Sequence, residues 1–135
     1  MKDSNFLISQ KEKIIKKIGK NVIKTILSRI PREKPIKFSS NELLGISLDK
    51  YADYLESLFL NGMTWYNYGR GENQWLIDHI IPLSQFNWKN QDDLFICFNY
   101  KNTQPLWHKQ NLIKKDKISE DLIVKIINNL NIYIY

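Results

Sequence analysis

The chain has 135 residues, of which 43% are hydrophobic, and its formal net charge is +6. This length supports one compact domain with a modest core and is too short for two independently folded domains. The single cysteine, Cys97, excludes an internal disulfide and a structural zinc site built from several thiolates. The positive charge favours an anionic partner.

The positive charge is concentrated at the N-terminal end of the chain. Between Met1 and Lys37 there are eleven basic and three acidic residues, so this segment carries +8 and the remainder of the chain carries −2. We therefore divide the sequence into a basic helical arm with a linker, residues 1–37, and a second part, residues 38–135. A solvated, charged helix face is the alternative interpretation of the arm.

The arm is predicted to form an amphipathic helix from Ile8 to about Ile30. Its apolar residues recur at the three- and four-residue steps of a helix: Ile15, Ile18, Val22 and Ile26. Four lysines form a stripe almost opposite: Lys13, Lys17, Lys20 and Lys24. One face of this helix can be buried while the other meets phosphates. Pro31 ends the helix, and the proline-rich, charged segment up to Lys37 is a linker.

Two short helices are predicted next from their capping residues. Ser39 and Glu42 match a capping box, and Gly45 should end the helix that they start. Ser47 should cap a second helix, which we expect to continue to Asn61-Gly62. The aromatic, glycine-rich segment 63–73 is predicted to be a loop. It contains Arg70, a candidate for contact with a phosphate or a guanine edge and equally an ordinary surface arginine.

The second half of the chain is predicted to contain a strand pair and a helix. Residues 75–81 have the pattern of a short buried strand ended by Pro82. Residues 83–100 form a long connection, of the kind that serves a site or has structure of its own. Residues 103–106 are predicted to be the partner strand, and Trp107 to begin a helix that displays Asn111. A final helix is predicted from Ser119.

Three short motifs lie between Trp75 and Lys117: Asp78-His79-Ile80-Ile81-Pro82, Asn102-Thr103-Gln104-Pro105-Leu106 and Asn111 followed by Lys114. A carboxylate beside an imidazole, followed by two asparagines and several lysines, is a plausible set for metal-assisted phosphodiester hydrolysis. Taken together, in this order, the motifs resemble the HNH endonuclease motif in its His-Asn-Asn form. The resemblance covers about residues 43–117, and the segments upstream of Asp78 are similar to those of small HNH proteins of phages, large DNA viruses and mobile elements.

The resemblance implies an α+β fold with a ββα-metal core flanked by helices. It implies that Asp78 and Asn111 hold one divalent cation, that His79 is the general base, and that Asn102 fixes the site by hydrogen bonds. Oxygen ligands favour Mg²⁺, with Mn²⁺ possible, over zinc. Because adjacent strand residues point to opposite faces, Asp78 and His79 can share a site only at a distorted strand end.

The expected activity is cutting or nicking of double-stranded DNA. Further phosphate contacts are expected from Lys114, Lys115 and Lys117, although each of them is equally well explained as a surface lysine. The alternatives are a DNA-binding or architectural module with a silent nuclease core, and an RNase or nonspecific toxin nuclease. The sequence leaves open whether the protein is a monomer or a homodimer, and which DNA sequence it prefers.

Two positions depart from the pattern of close HNH relatives. Leu76 stands where these often have histidine, and Thr103 stands where they have leucine; neither is one of the three motif letters. His108 lies one helical turn before Asn111, outside the family's ligand positions.

The N-terminus shows no signal-peptide pattern, and no apolar run approaches the roughly 20 residues of a membrane span. We expect an intracellular protein without a membrane partner, located in the cytoplasm or wherever its DNA substrate lies, in the nucleoid or nucleus.

Overall fold

The computed structural model describes residues 4–30 and 37–114 and has a mixed architecture of helices around one small sheet. The helices are α1 (Ser4–Leu27), α2 (Ser40–Leu44), α3 (Leu48–Ser57), α4 (Gln91–Phe98) and α5 (His108–Lys114). The strands β1 (Trp75–His79) and β2 (Thr103–Trp107) form a two-stranded sheet, and short 3-10 turns lie at Leu83–Gln85 and Tyr100–Asn102. The predicted α+β class is therefore confirmed. The helix predicted from Ser119 lies outside the described residues.

The first helix packs into the same hydrophobic core as the rest of the molecule. It begins four residues before the predicted Ile8 and ends at Leu27, with a further turn to Ile30. Its apolar face is buried in one cluster together with the buried residues of α2, α3 and β1. The members from α1 are Ile14, Ile15, Ile18, Val22 and Ile26. The basic segment is thus anchored by its apolar face, and the linker residues 31–36 lie outside the described residues.

The predicted caps of α2 and α3 are confirmed. Ser39 and Glu42 form the reciprocal capping box, and Gly45 ends α2 in the left-handed conformation, at φ 74°. The Ser47 side chain accepts from the backbone N–H of Lys50 at the start of α3. The predicted end of α3 is wrong, because the helix stops at Ser57 rather than continuing to Asn61-Gly62. Phe59 instead leaves the helix and packs against Trp65 and Trp75, with ring centroids 5.1 and 5.0 Å away.

The two strands form an antiparallel pair that leads directly into α5. Trp75 is opposite Trp107, Asp78 is opposite Gln104, and His79 is opposite Thr103. β1 ends at His79, two residues before the predicted end, and the chain bends at Ile80. The hydroxyl groups of Tyr51 and Thr103 are 2.6 Å apart and buried, which ties β2 to α3. The order of elements here is strand, strand, helix.

The connection between the strands contains a helix that the periodicity of the sequence did not predict. α4 is capped by the Asn90 side chain, which accepts from the backbone N–H of Asp92. Its buried residues are the consecutive Ile96, Cys97 and Phe98. A contiguous apolar run has no 3.6-residue alternation, so periodicity cannot distinguish a short buried helix from a loop or strand.

Within the described segments, no helix is both long enough and apolar enough to span a membrane.

The anchoring of α1 can be tested with neighbouring residues. Ile26 is 1% exposed, whereas Leu27 is 54% exposed. We expect Ile26→Ala to lower the free energy of unfolding by about 2–4 kcal/mol, because it removes buried methyl groups and leaves a cavity. Leu27→Ala should change it by less than about 0.5 kcal/mol. Urea unfolding of both variants measures the difference, and equal effects would contradict the packing of α1 in the common core.

Candidate active site

The end of β1 and the second half of α5 border an open cavity of about 460 Å³. Its lining residues are Arg29, Ile77, Asp78, His79, Pro82, Leu83, Ser84, Asn111 and Lys114. These residues come from three distant parts of the chain, namely the turn after α1, the end of β1 with its following turn, and α5. The structure therefore brings Asp78, His79 and Asn111 to one cavity.

Asp78 is a buried carboxylate with two cationic or polar partners. Only 4% of the residue is exposed. Its Oδ2 atom accepts from Lys114 Nζ at 2.7 Å and from Gln104 Nε2 at 3.0 Å, the second contact following from the strand register. Such partners offset the cost of removing a carboxylate from water. In the described part of the chain both side-chain hydrogen bonds to Asp78 end on Oδ2, so Oδ1 is the oxygen left for another partner.

The Lys114 ammonium is surrounded by oxygen atoms. Besides Asp78 it donates to the backbone carbonyls of His79 at 3.1 Å and Ile80 at 3.2 Å. The bend after β1 turns both carbonyls toward the same point as the Asp78 carboxylate. Three oxygens thus converge on the Lys114 ammonium, which occupies this corner of the cavity.

His79 is held in one tautomer by the end of α4. Its Nδ1 lies 2.8 Å from the carbonyl oxygen of Cys97. Because a carbonyl can only accept, Nδ1 carries the proton and Nε2 carries the lone pair. The Phe98 ring packs edge-on against the imidazole, with centroids 5.3 Å apart. Burial lowers the pKa of His79 below its ordinary 6.5, and the hydrogen bond to Cys97 opposes this only in part.

Asn102 lies behind the cavity and is fully buried. Its Oδ1 accepts from the backbone N–H of Ile81 at 2.9 Å, and its Nδ2 donates to the carbonyl of Cys97 at 3.0 Å. Its own carbonyl accepts from the N–H of Ile80 at 2.8 Å. Asn102 therefore connects the bend after β1 with the end of α4. The carbonyl of Cys97 is shared between Asn102 and His79.

The structure adds two residues that sequence reasoning missed. Arg29 lines the cavity from the turn after α1, with its guanidinium carbon 5.2 Å from the centre of the Trp88 ring. Gln104 was predicted only as part of a motif. The strand register places it opposite Asp78, to which it donates a hydrogen bond. No spacing in the sequence connects Arg29 with Asp78 and His79, which lie about fifty positions later. The only signal in the sequence is that Arg29 follows Ile26, a residue of the predicted apolar face, by one helical turn.

The remaining predicted contact residues lie elsewhere. Arg70 is exposed and borders a second cavity that adjoins the first. Four lysines are exposed on α1: Lys13, Lys17, Lys20 and Lys24. Lys114 points into the cavity and is engaged by Asp78. Lys115 and Lys117 lie outside the described residues.

The predicted metal ligands form a small donor set. Within residues 4–30 and 37–114 there is no group of three or more His, Cys, Asp or Glu side chains arranged to hold a metal ion. The predicted set is of another kind, because it contains one carboxylate, Asp78, and one amide, Asn111. Both line the same cavity.

Comparison with known proteins finds two uncharacterized proteins of Acanthamoeba polyphaga mimivirus. The chain is 32% identical to one of them over 106 residues, which is 78% of this chain and 45% of the relative. It is 29% identical to the other over 87 residues, which is 64% of this chain and 37% of the relative. The chain thus spans less than half the length of these relatives. No family model matches the chain, and no solved structure matches it significantly.

The role of Asn102 in holding this region can be tested by its removal. Asn102→Ala would leave the N–H of Ile81 without its acceptor and take one donor from the Cys97 carbonyl. We expect it to lower the free energy of unfolding by about 3 kcal/mol. Asn87→Ala is the matched control, because Asn87 is exposed and its Oδ1 accepts from the backbone N–H of Lys89 at the surface. It should cost less than about 1 kcal/mol in the same urea titration, and equal losses would contradict the bracing role.

Proposed function

We propose that the protein is a metal-dependent endonuclease of the HNH type that hydrolyses phosphodiester bonds in double-stranded DNA. One observation carries the proposal: Asp78, His79 and Asn111, separated by up to 33 residues in the sequence, line one open cavity. The succession of β1, β2 and α5 supports it, since a strand pair followed by a helix is the arrangement that the HNH resemblance implies.

The residues of the cavity fit a hard divalent cation. Asp78 and Asn111 offer a carboxylate and an amide oxygen, the ligands that Mg²⁺ and Mn²⁺ prefer. The oxygens that gather around the Lys114 ammonium support a cation-binding role for this corner. When bound, such an ion stabilises the charge that develops on the phosphate and the leaving oxygen. Asp78 Oδ1, which accepts no side-chain hydrogen bond from the described residues, would be the carboxylate oxygen available to the ion, while Lys114 contacts Oδ2.

His79 is suited to act as the general base. With the proton on Nδ1 directed to the Cys97 carbonyl, Nε2 is free to take a proton from the attacking water. The lowered pKa keeps the imidazole neutral at physiological pH, as a base must be. Asn102 positions this group indirectly, because it binds the same carbonyl that orients His79.

Arg29 supplies a positive charge at the side of the cavity that the first helix borders. Its guanidinium is stacked near Trp88 and can offer paired donors to a phosphate oxygen. Beyond the cavity, the exposed lysines of α1 give a sequence-independent attraction to the DNA backbone. Arg29 therefore links the basic helix with the residues that perform the chemistry.

The Lys114 contact also favours a second candidate function, a DNA-binding module with a silent nuclease core. A lysine 2.7 Å from Asp78 satisfies the carboxylate without any metal ion. In such a protein the pair would be a structural feature, and the α1 lysines would carry the activity. The two candidates differ in whether DNA is cut when Mg²⁺ is present.

Incubation with supercoiled plasmid and Mg²⁺ tests the proposal. We expect the wild-type protein to nick the plasmid, and His79→Ala to do so about 10²–10⁴ times more slowly while still binding DNA. Asn111→Ala should lose activity as well, whereas Gln110→Ala, at the exposed neighbouring position on α5, should retain it. Binding without nicking by the wild type would favour the silent module instead.

The pH dependence of nicking should follow His79. Below its pKa the imidazole is protonated and cannot accept a proton, so the rate falls as the pH falls through that value. Because the pKa is lowered, we expect the midpoint of the acidic limb below 6.5 and a plateau above it. Single-turnover rates between about pH 5 and pH 8 measure this, with DNA affinity recorded at each pH. A midpoint above about 7 would contradict the assignment.

The lysines of α1 should determine the salt dependence of DNA binding. Replacing Lys13, Lys17, Lys20 and Lys24 with glutamine should reduce the slope of log affinity against log salt by roughly 0.9 for each lysine that contacts a phosphate. Lys11→Gln is the matched control on the same helix. Its ammonium is paired with Asp53 at 2.8 Å and Glu56 at 3.3 Å, so the slope should not change. An unchanged slope in the fourfold variant would refute the role of the stripe.

A further inference from the structure

A second cavity, of about 370 Å³, lies beside the candidate active site, between α1 and the strand pair β1–β2. The two cavities share Ile77, His79, Leu83 and Asn111 as lining residues. Any group that fills the second cavity is therefore next to whatever occupies the first. If the scissile phosphate binds beside His79, the group nearest to the second cavity is a neighbouring nucleotide of the same strand.

The walls of this cavity are suited to a flat, partly polar ring. Ile18 and Val22 of α1 and Ile77 of β1 provide apolar surface on two sides. Asn21 and Thr25 add polar side chains on the same face of α1. A nucleobase has this combination of apolar faces and hydrogen-bonding edges. The volume lies at the lower end of the range for small-ligand sites, which suits a single nucleoside.

Two further polar residues, His108 and Arg70, line the cavity. The Nδ1 atom of His108 is buried and has no hydrogen-bond partner among the described residues. Arg70 stands exposed at the rim and provides a donor for a phosphate or a base edge. Asn21 and Tyr68 both line the cavity. A ligand with a hydrogen-bonding edge can pair with the polar side chains of Asn21 and Arg70 here, whereas a purely apolar ligand cannot.

We propose that this cavity, the base pocket, receives one unstacked nucleobase adjacent to the scissile phosphate. This inference rests on the proposed nuclease function and deepens it, because it names an unpaired or extruded base as part of the substrate. Enzymes that act on a base take it out of the stack and read it in a pocket of this kind. A pocket beside a phosphodiester site could hold a flanking base in the same way. The pocket would also provide a preference for one base next to the cut.

The test uses 2-aminopurine, a base whose fluorescence rises when it leaves the stack. Cut positions are first mapped on plasmid DNA with Mg²⁺. Duplexes are then made with 2-aminopurine at each successive position around one cut, and the protein of residues 1–135 is added with Ca²⁺ to hold the complex before cleavage. We expect a several-fold rise in fluorescence at one flanking position and at no other.

Variants on α1 locate the signal. Thr25→Trp should fill the base pocket and abolish the rise, while Leu27→Trp, at an exposed position of the same helix, should preserve it. Asn21→Leu, which keeps the side-chain size, should reduce the rise even if Thr25→Trp fails to fold. Binding is followed in the same samples by anisotropy.

The outcomes separate the two proposals. Nicking with Mg²⁺ but no rise at any position of a formed complex would overturn the base pocket and leave the nuclease standing. A rise that persists in both folded Thr25→Trp and Asn21→Leu would overturn its location. The absence of any Mg²⁺-dependent nick would overturn the nuclease and the base pocket together.

Discussion

The structure of the site depends on how Asn102 is buried behind it. With no exposed surface, its amide must find partners inside the protein, and it finds them at the bend after β1 and at the end of α4. The Cys97 carbonyl that it binds is the one that orients His79. One asparagine thus fixes the bend that turns backbone carbonyls toward Lys114 and the tautomer that leaves Nε2 available. Asn102, the middle residue of the motif, holds the backbone around the cavity by hydrogen bonds and does not itself line the cavity.

The charged residues differ in how far they are buried and in whether they are paired. In the cavity Asp78 is almost wholly buried, and its charge is matched by Lys114 at 2.7 Å. On α1 the lysines are exposed and their number, rather than their geometry, matters. Arg29 lies between these situations, exposed to solvent but facing the cavity from the turn after α1. The helix that carries the net charge is therefore also a wall of the site, which the division of the sequence at residue 37 did not suggest.

The features that the sequence predicted correctly are those set by residues close together in the chain. The caps at Ser39 and Ser47 and the stop at Gly45 are set by neighbours three residues away, so the sequence alone was sufficient. α4 and the early end of α3 were missed, because the first has a contiguous apolar run and the second depends on Phe59 reaching Trp65 and Trp75. The pairing of Lys114 with Asp78 and the approach of Arg29 depend on tertiary contacts between distant segments, which spacing cannot show.

The proposed role of His79 as the base that activates water is tested most directly by chemical rescue of its removal. His79→Ala should leave a cavity beside the Asp78 carboxylate into which free imidazole can diffuse. We expect added imidazole to restore nicking of supercoiled plasmid by His79→Ala in a concentration-dependent way, while leaving the wild-type rate unchanged. A variant that nicks as fast as the wild type without imidazole, or an active wild type whose variant no concentration of imidazole restores, would contradict it.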